Sequence, residues 1–189
     1  MTTKPATTLT KSTFTTKQLV LIALMTAITC ILAPFSIPIP FSPVPISLTN
    51  LVLYISIFIL GYKFATISYL VYLLLGIVGL PVFSGFTGGI GKVAGPTGGY
   101  LIGFIFLTLI AGLFLEKSHV HKVLTVVGMI LGTVVTYLFG TAWLCMQLHL
   151  TFVQGLGIGV LPYLLGDAVK IIIAMILGPI LLKRLNIFY

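Results

Sequence analysis

LIGFIFLTLIAGLFL, residues 101–115, is an unbroken apolar run, and IIIAMILGPILL, residues 171–182, is another. Strands of a lipid-facing barrel alternate apolar and polar side chains, and these runs do not. The whole chain of 189 residues is 59% hydrophobic and only 6% charged. Its mean hydropathy is +1.25. A soluble domain carries about 25% charged residues, so this chain has too few to cover its own surface in water. In lipid the backbone must satisfy its own hydrogen bonds, which leaves helices or a closed barrel. Continuous runs select helices. The expected fold is an all-α integral membrane protein.

Further runs place six segments at Gln18–Ala33, Ile46–Leu60, Phe64–Leu80, Thr97–Leu115, Val123–Leu148 and Val160–Leu182. A span needs about 20 apolar residues, so hydropathy alone leaves the second and third ambiguous. Charge placement resolves them. With six transmembrane helices and both termini cytoplasmic, Lys4, Lys11, Lys17, Lys63, Lys117, Lys122, Lys183 and Arg184 fall inside. That is eight of the ten basic residues on one side, as the positive-inside rule requires. The formal charge of +8 is then topological and does not indicate nucleic-acid binding. Residues 1–16, Thr-rich, read as a disordered cytoplasmic tail, and 17–189 as a single six-helix transmembrane domain. The first apolar segment lacks a small-residue cleavage site and reads as an uncleaved span. Cys30 and Cys145 lie in apolar runs and read as small core residues.

Two connections expected on the outer side are unusual. Residues 33–45, APFSIPIPFSPVP, hold five prolines and no charge, which makes a stiff, extended segment. It suits either a lid over an apolar cavity or a connector lying at the membrane interface. Residues 81–99, PVFSGFTGGIGKVAGPTGG, hold seven glycines, whose backbone can approach a ligand closely.

Several motifs carry no function. Gly89-x-Gly91-x-x-Ala94 lacks the βαβ unit that gives a dinucleotide fingerprint its meaning. Gly91-Lys92 is followed by Val93, and Phe86 stands where a P-loop needs its first glycine. His119, His121 and His149 have no metal-ligand spacing, so no metal site is expected. In the last segment, however, Asp167 is one of only two acidic residues, the other being Glu116. Lys170 follows three positions later on the same helix face. Charges inside a membrane are costly and face a cavity or a partner. Pro162 and Gly166 lie beside the pair. Tyr69, Tyr72, Tyr100, Tyr163 and Trp143 are candidates to stack on a ligand, and Asn50 for an interhelical hydrogen bond. Ala23-x-x-x-Ala27 is a small-residue stripe against which another helix can pack.

IPIPFSPVPISL (37–48), GLPVFSGFTGGIGKVAGPTGGYLIGF (79–104) and LPYLLGDAVK (161–170) together resemble BioY, the biotin-binding S component of energy-coupling factor (ECF) transporters. The resemblance covers nearly the whole chain from the first span onward. It implies a multi-pass protein of the bacterial cell membrane that binds biotin from outside. It also implies two kinds of partner, a transmembrane coupling subunit and a pair of cytoplasmic ATPase subunits. No catalytic residue and no cofactor are implied, and ATP hydrolysis falls to the partners. The implied substrate site comprises Asp167, Lys170, Lys92, Gly88, Gly89, Tyr100 and Tyr163, with Ala23 and Ala27 docking the coupling subunit. Chemistry agrees with this. Asp167 can accept from the ureido N–H groups. Lys170 can donate to the ureido carbonyl or to the ligand carboxylate, and Lys92 with the loop amides can meet that carboxylate. Some relatives have an arginine at the position of Thr87, where this chain offers only Lys92 nearby. The competing reading is a stand-alone proton-coupled solute carrier with Asp167 as its proton site. An intramembrane enzyme is disfavoured, because one Asp–Lys pair is thin for catalysis.

Overall fold

The structure is a computed structural model that describes residues 14–117 and 121–185. The rest of the expected tail, residues 1–13, and His119 lie outside the described residues. Helix α1 (Thr16–Leu32) starts two residues earlier than expected, because Thr15 and Gln18 form a reciprocal capping box. Its inner face carries Ile22, Met25, Thr26 and Thr29. Thr26 Oγ1 lies 3.1 Å from the Ser68 carbonyl, and Ser68 donates back to the Ile22 carbonyl at 3.3 Å. Such bonds join helices where lipid offers no hydrophobic drive.

The fold is not wholly helical. The proline-rich segment forms an antiparallel hairpin, β1 (Ser36–Ile39) and β2 (Ser42–Ser47). Its register pairs Ser36 with Ser47 and Ile37 with Ile46, then breaks before Ile39 pairs with Ser42. Pro38, at the break, has no N–H to give a ladder. Pro38, Pro43 and Pro45 exclude a helix but suit strands with free edges.

The second and third expected segments form one helix by hydrogen-bond pattern, α2 (Thr49–Val78), interrupted at Gly61. Gly61 has φ 72° and ψ 173°, a conformation open chiefly to glycine. A Cβ there would also come within 2.9 Å of the Glu116 carboxylate. Thr49 and Tyr72 would stand roughly 35 Å apart on one straight helix, yet both line the same cavity. The chain therefore folds back at Gly61, and α2 is two arms, 49–60 and 62–78.

After a loop containing the short helix α3 (Ile90–Ala94) come α4 (Gly98–Lys117) and α5 (Lys122–Leu148). These two form the most extensive interhelical contact in the fold. A Cβ on Gly99 would meet Trp143, one on Gly128 would meet Phe114, and one on Gly140 would meet the Tyr100 ring, all within 2.3 Å. Glycines on the facing sides of both helices thus let the backbones approach. Helix α6 (Phe152–Gly159), capped by Thr151 and Gln154, leads through a 3₁₀ turn at Leu161–Tyr163 into α7 (Leu164–Leu185). The sixth expected segment joined that turn to α7 and did not anticipate α6. Gly178, beside Pro179 in α7, seats the Phe58 ring of α2.

Four helical stretches among the described residues are long and apolar enough to cross a membrane: Thr49–Val78, Gly98–Lys117, Lys122–Leu148 and Phe152–Arg184. The shorter apolar helix is Thr16–Leu32.

Candidate functional site

A cavity with about 740 Å³ of empty space, its open mouth included, lies between β2, the two arms of α2, α4, α5 and the start of α7. Its walls are mostly apolar, with Phe104, Leu101 and Leu107 from α4 and Val44, Pro45 and Ile46 from β2. The proline-rich segment thus contributes its second strand to the cavity wall.

One corner of the cavity is charged. Asp167 sits in the first turn of α7, where the helix dipole favours an anion. Lys170 lies one turn on, its Nζ 2.9 Å from Asp167 Oδ1. Both are nearly buried, at 8% and 9% exposure, so each depends on its partners for what water would supply. Asn50, in the first turn of α2, donates to Asp167 Oδ1 at 2.8 Å. Tyr137 of α5 donates to Oδ2. Three donors from three helices therefore converge on one carboxylate, two of them neutral and the third a cation that balances its charge.

Tyr100 and Tyr163 also line the cavity. Tyr100 OH donates to the Gly159 carbonyl at 3.1 Å and lies 3.2 Å from Thr141 Oγ1, tying α4 to α5 and α6. Tyr163 OH donates to the Val44 carbonyl and lies 2.8 Å from Ser42 Oγ. It therefore fastens the hairpin to the turn that precedes Asp167. Among the other aromatic candidates, Tyr72 lines the cavity while its hydroxyl donates to the Val82 carbonyl at 3.1 Å. Tyr69 and Trp143 face elsewhere. Tyr69 donates to Leu101 O at 2.6 Å and Trp143 to Gly95 O at 3.0 Å.

Of the glycine-rich loop, Ser84 and Thr97 line the cavity, and Gly88, Gly89 and Lys92 do not. A Cβ on Gly88 would stand 2.3 Å from the Leu80 carbonyl oxygen, so this glycine serves close packing of the loop on itself. Gly89 has φ +90°, and its N–H donates to Gly76 O at 2.7 Å. Phe83, fully buried, plugs the loop onto α2 over Gly76. Lys92, on α3, is half-buried, and burial pushes its ammonium below the ordinary lysine range. Ala23 and Ala27 lie on the exposed face of α1, away from the internal packing.

Tyr137 is a site residue that the sequence reading passed over. The signal was faint: Gly128, Gly132 and Gly140 mark the packed face of α5, and Tyr137 stands at its edge. Asn50 makes the expected interhelical bond and also lines the cavity. Among the described residues, no three His, Cys, Asp or Glu side chains cluster as metal ligands would.

The profile of the BioY family matches residues 3–187. Among similar proteins, a probable biotin transporter BioY of Pyrococcus horikoshii is 38% identical, over 86% of this chain and 94% of the relative. The biotin transporter BioY of Thermotoga maritima is 33% identical, over 90% of this chain and 98% of the relative. Among solved structures, the S-component for biotin from an ECF-type ABC transporter superposes with a TM-score of 0.81. It is 33% identical, and the match covers 90% of both chains. The chain belongs to the BioY family, and it is a multi-pass membrane protein.

Proposed function

From membership of the BioY family we propose that this chain is the biotin-binding subunit of an ECF-type uptake transporter. It captures biotin from the outer side and delivers it inward with a transmembrane coupling subunit and two cytoplasmic ATPase subunits. It is not itself an enzyme and needs no cofactor, and biotin is its ligand. The observation that carries this reading is the Asp167 corner in a cavity whose exposed wall is mostly apolar. Biotin joins a polar cyclic urea to an apolar ring and chain, and small-ligand sites pair an apolar enclosure with a few placed polar groups. The relatives named biotin transporters support the choice of ligand.

The two arms of α2, counted separately, complete six spans with α1, α4, α5 and α7. Both termini are then cytoplasmic, the hairpin and the glycine-rich loop lie outside, and Lys63 at the Gly61 turn lies inside with Glu116 and Lys117. Ala23 and Ala27, exposed and small, offer the coupling subunit a surface for close approach. Lys92 is proposed to meet the ligand carboxylate once the loop moves inward, with Gly88 and Gly89 shaping that loop.

Titration calorimetry of the purified chain with biotin, dethiobiotin, thiamine and riboflavin tests the reading. Biotin binds tightly and the two other vitamins do not. Comparable binding of thiamine or riboflavin overturns it. In liposomes the isolated chain binds biotin without accumulating it. Accumulation driven by a proton gradient, with no ATPase present, returns the function to a stand-alone carrier.

A further inference from the structure

We propose that Tyr137 is a positioning residue that sets the headgroup selectivity of the site, by leaving Asp167 one open acceptor position where it would otherwise have two. The inference rests on the biotin reading above. A carboxylate offers about four lone-pair positions, two on each oxygen. On Asp167 Oδ1 both are taken, by Asn50 Nδ2 at 2.8 Å and by Lys170 Nζ at 2.9 Å. On Oδ2 the Tyr137 hydroxyl takes one. A single position remains, on a side chain that faces the cavity. Lys170 has three N–H groups, and one is committed to Asp167. The corner therefore presents one strong acceptor beside spare donors.

That pattern complements the edge of a neutral cyclic urea, where an N–H stands next to a carbonyl. It opposes a cyclic guanidinium, which carries N–H groups in place of the carbonyl and a positive charge facing Lys170. Without the phenol hydroxyl, both positions on Oδ2 are open and its negative charge is less shared. A headgroup with several N–H donors and a positive charge gains from that change, and a urea with one N–H on that edge does not.

Helix packing does not account for the Tyr137–Asp167 bond. Helices α5 and α7 touch only sparsely, and both residues line the cavity between them. Thr133 and Thr136, on the packed side of α5, bond to Met129 O and Gly103 O within the helical framework. Tyr137 alone of the three reaches across to the charged pair.

The test is calorimetry of wild-type protein and Tyr137→Phe with biotin, dethiobiotin (the same urea without the sulfur ring) and 2-iminobiotin (the guanidino analogue). In Tyr137→Phe, 2-iminobiotin tightens while biotin and dethiobiotin, with one N–H on that edge, gain nothing. The biotin to 2-iminobiotin preference then falls by about tenfold, the scale separating neutral from charge-assisted hydrogen bonds. If all three affinities change by one common factor, or none changes, Tyr137 does not set selectivity. Tyr137→Met, which also lacks the hydroxyl, gives the same ratio and serves if the phenylalanine variant does not fold. Wild-type protein that binds no biotin at all defeats the functional reading and this inference with it. A common-factor change defeats the inference alone.

Discussion

In the Asp167 corner, polar groups from α2, α5 and α7 converge on the cavity. In the loop of residues 81–99, they are turned mostly on the protein's own backbone. Asp167 gathers Asn50, Tyr137 and Lys170 around one carboxylate that still faces the ligand space. In the loop, Gly85 N–H donates to Pro34 O at 2.9 Å, Gly89 N–H to Gly76 O, and Phe83 and Thr87 pair with each other. Both regions are rich in residues that bind ligands elsewhere. The difference is burial beside a cavity: the corner borders it, whereas the loop uses its glycines to pack closely at its rim. A glycine-rich segment therefore signals close approach, and the group approaching Gly88 and Gly89 here is protein.

The largest expected effect lies in the corner. Asp167→Asn leaves Lys170 without its counter-charge, and breaking one side of a buried pair costs about 3–5 kcal/mol. Biotin affinity in calorimetry then falls by more than about tenfold, equivalent to about 1.4 kcal/mol. Near-wild-type affinity would make the pair a purely structural clasp and remove the contrast with the loop. Lys170→Met follows, with a loss of about tenfold as the donor to the ligand disappears.

Gly88→Ala should act on the loop and little on the corner. Its Cβ meets the Leu80 carbonyl oxygen at 2.3 Å, and overpacking of this kind costs about 1–3 kcal/mol. The expected result is a lower thermal midpoint, with biotin still able to saturate the protein. A selective loss of biotin affinity with no loss of stability would instead place Gly88 in contact with the ligand. Lys92→Met is the smallest effect, at about threefold or less on a charge contact at the margin of the cavity that is only half-buried. It should fall on biotin and spare a neutral biotin amide, because only the acid needs the cation. Equal losses for acid and amide would remove Lys92 from the carboxylate site.

Two small-residue stripes show how far the sequence reading could go. Ala23 and Ala27, spaced by four, are exposed on α1. Gly128, Gly132 and Gly140, spaced by four and by eight, are buried against α4. Spacing alone marks a face for close packing but not which neighbour occupies it. Ala23→Leu with Ala27→Leu should therefore leave folding and biotin binding intact while blocking copurification with the coupling subunit. Copurification at wild-type yield would remove the docking role.

Composition and the continuous apolar runs were enough to establish a helical membrane protein, because lipid leaves the backbone few ways to satisfy its hydrogen bonds. The same sequence singled out Asp167 and Lys170, since buried charges are rare enough to stand out one residue at a time. It also marked the stiffness of residues 33–45, though not that they pair as a hairpin, because strand pairing depends on a turn and a register between separate residues. Which groups surround the charged pair was settled only in three dimensions. Asn50 lies 117 positions from Asp167 and Tyr137 lies 30 positions away, and no local pattern ties either of them to it. Their convergence depends on the chain reversing at Gly61 and on glycines that draw α4 and α5 together. Those are packing events between helices, and a hydrogen bond across a cavity exists only after they have occurred.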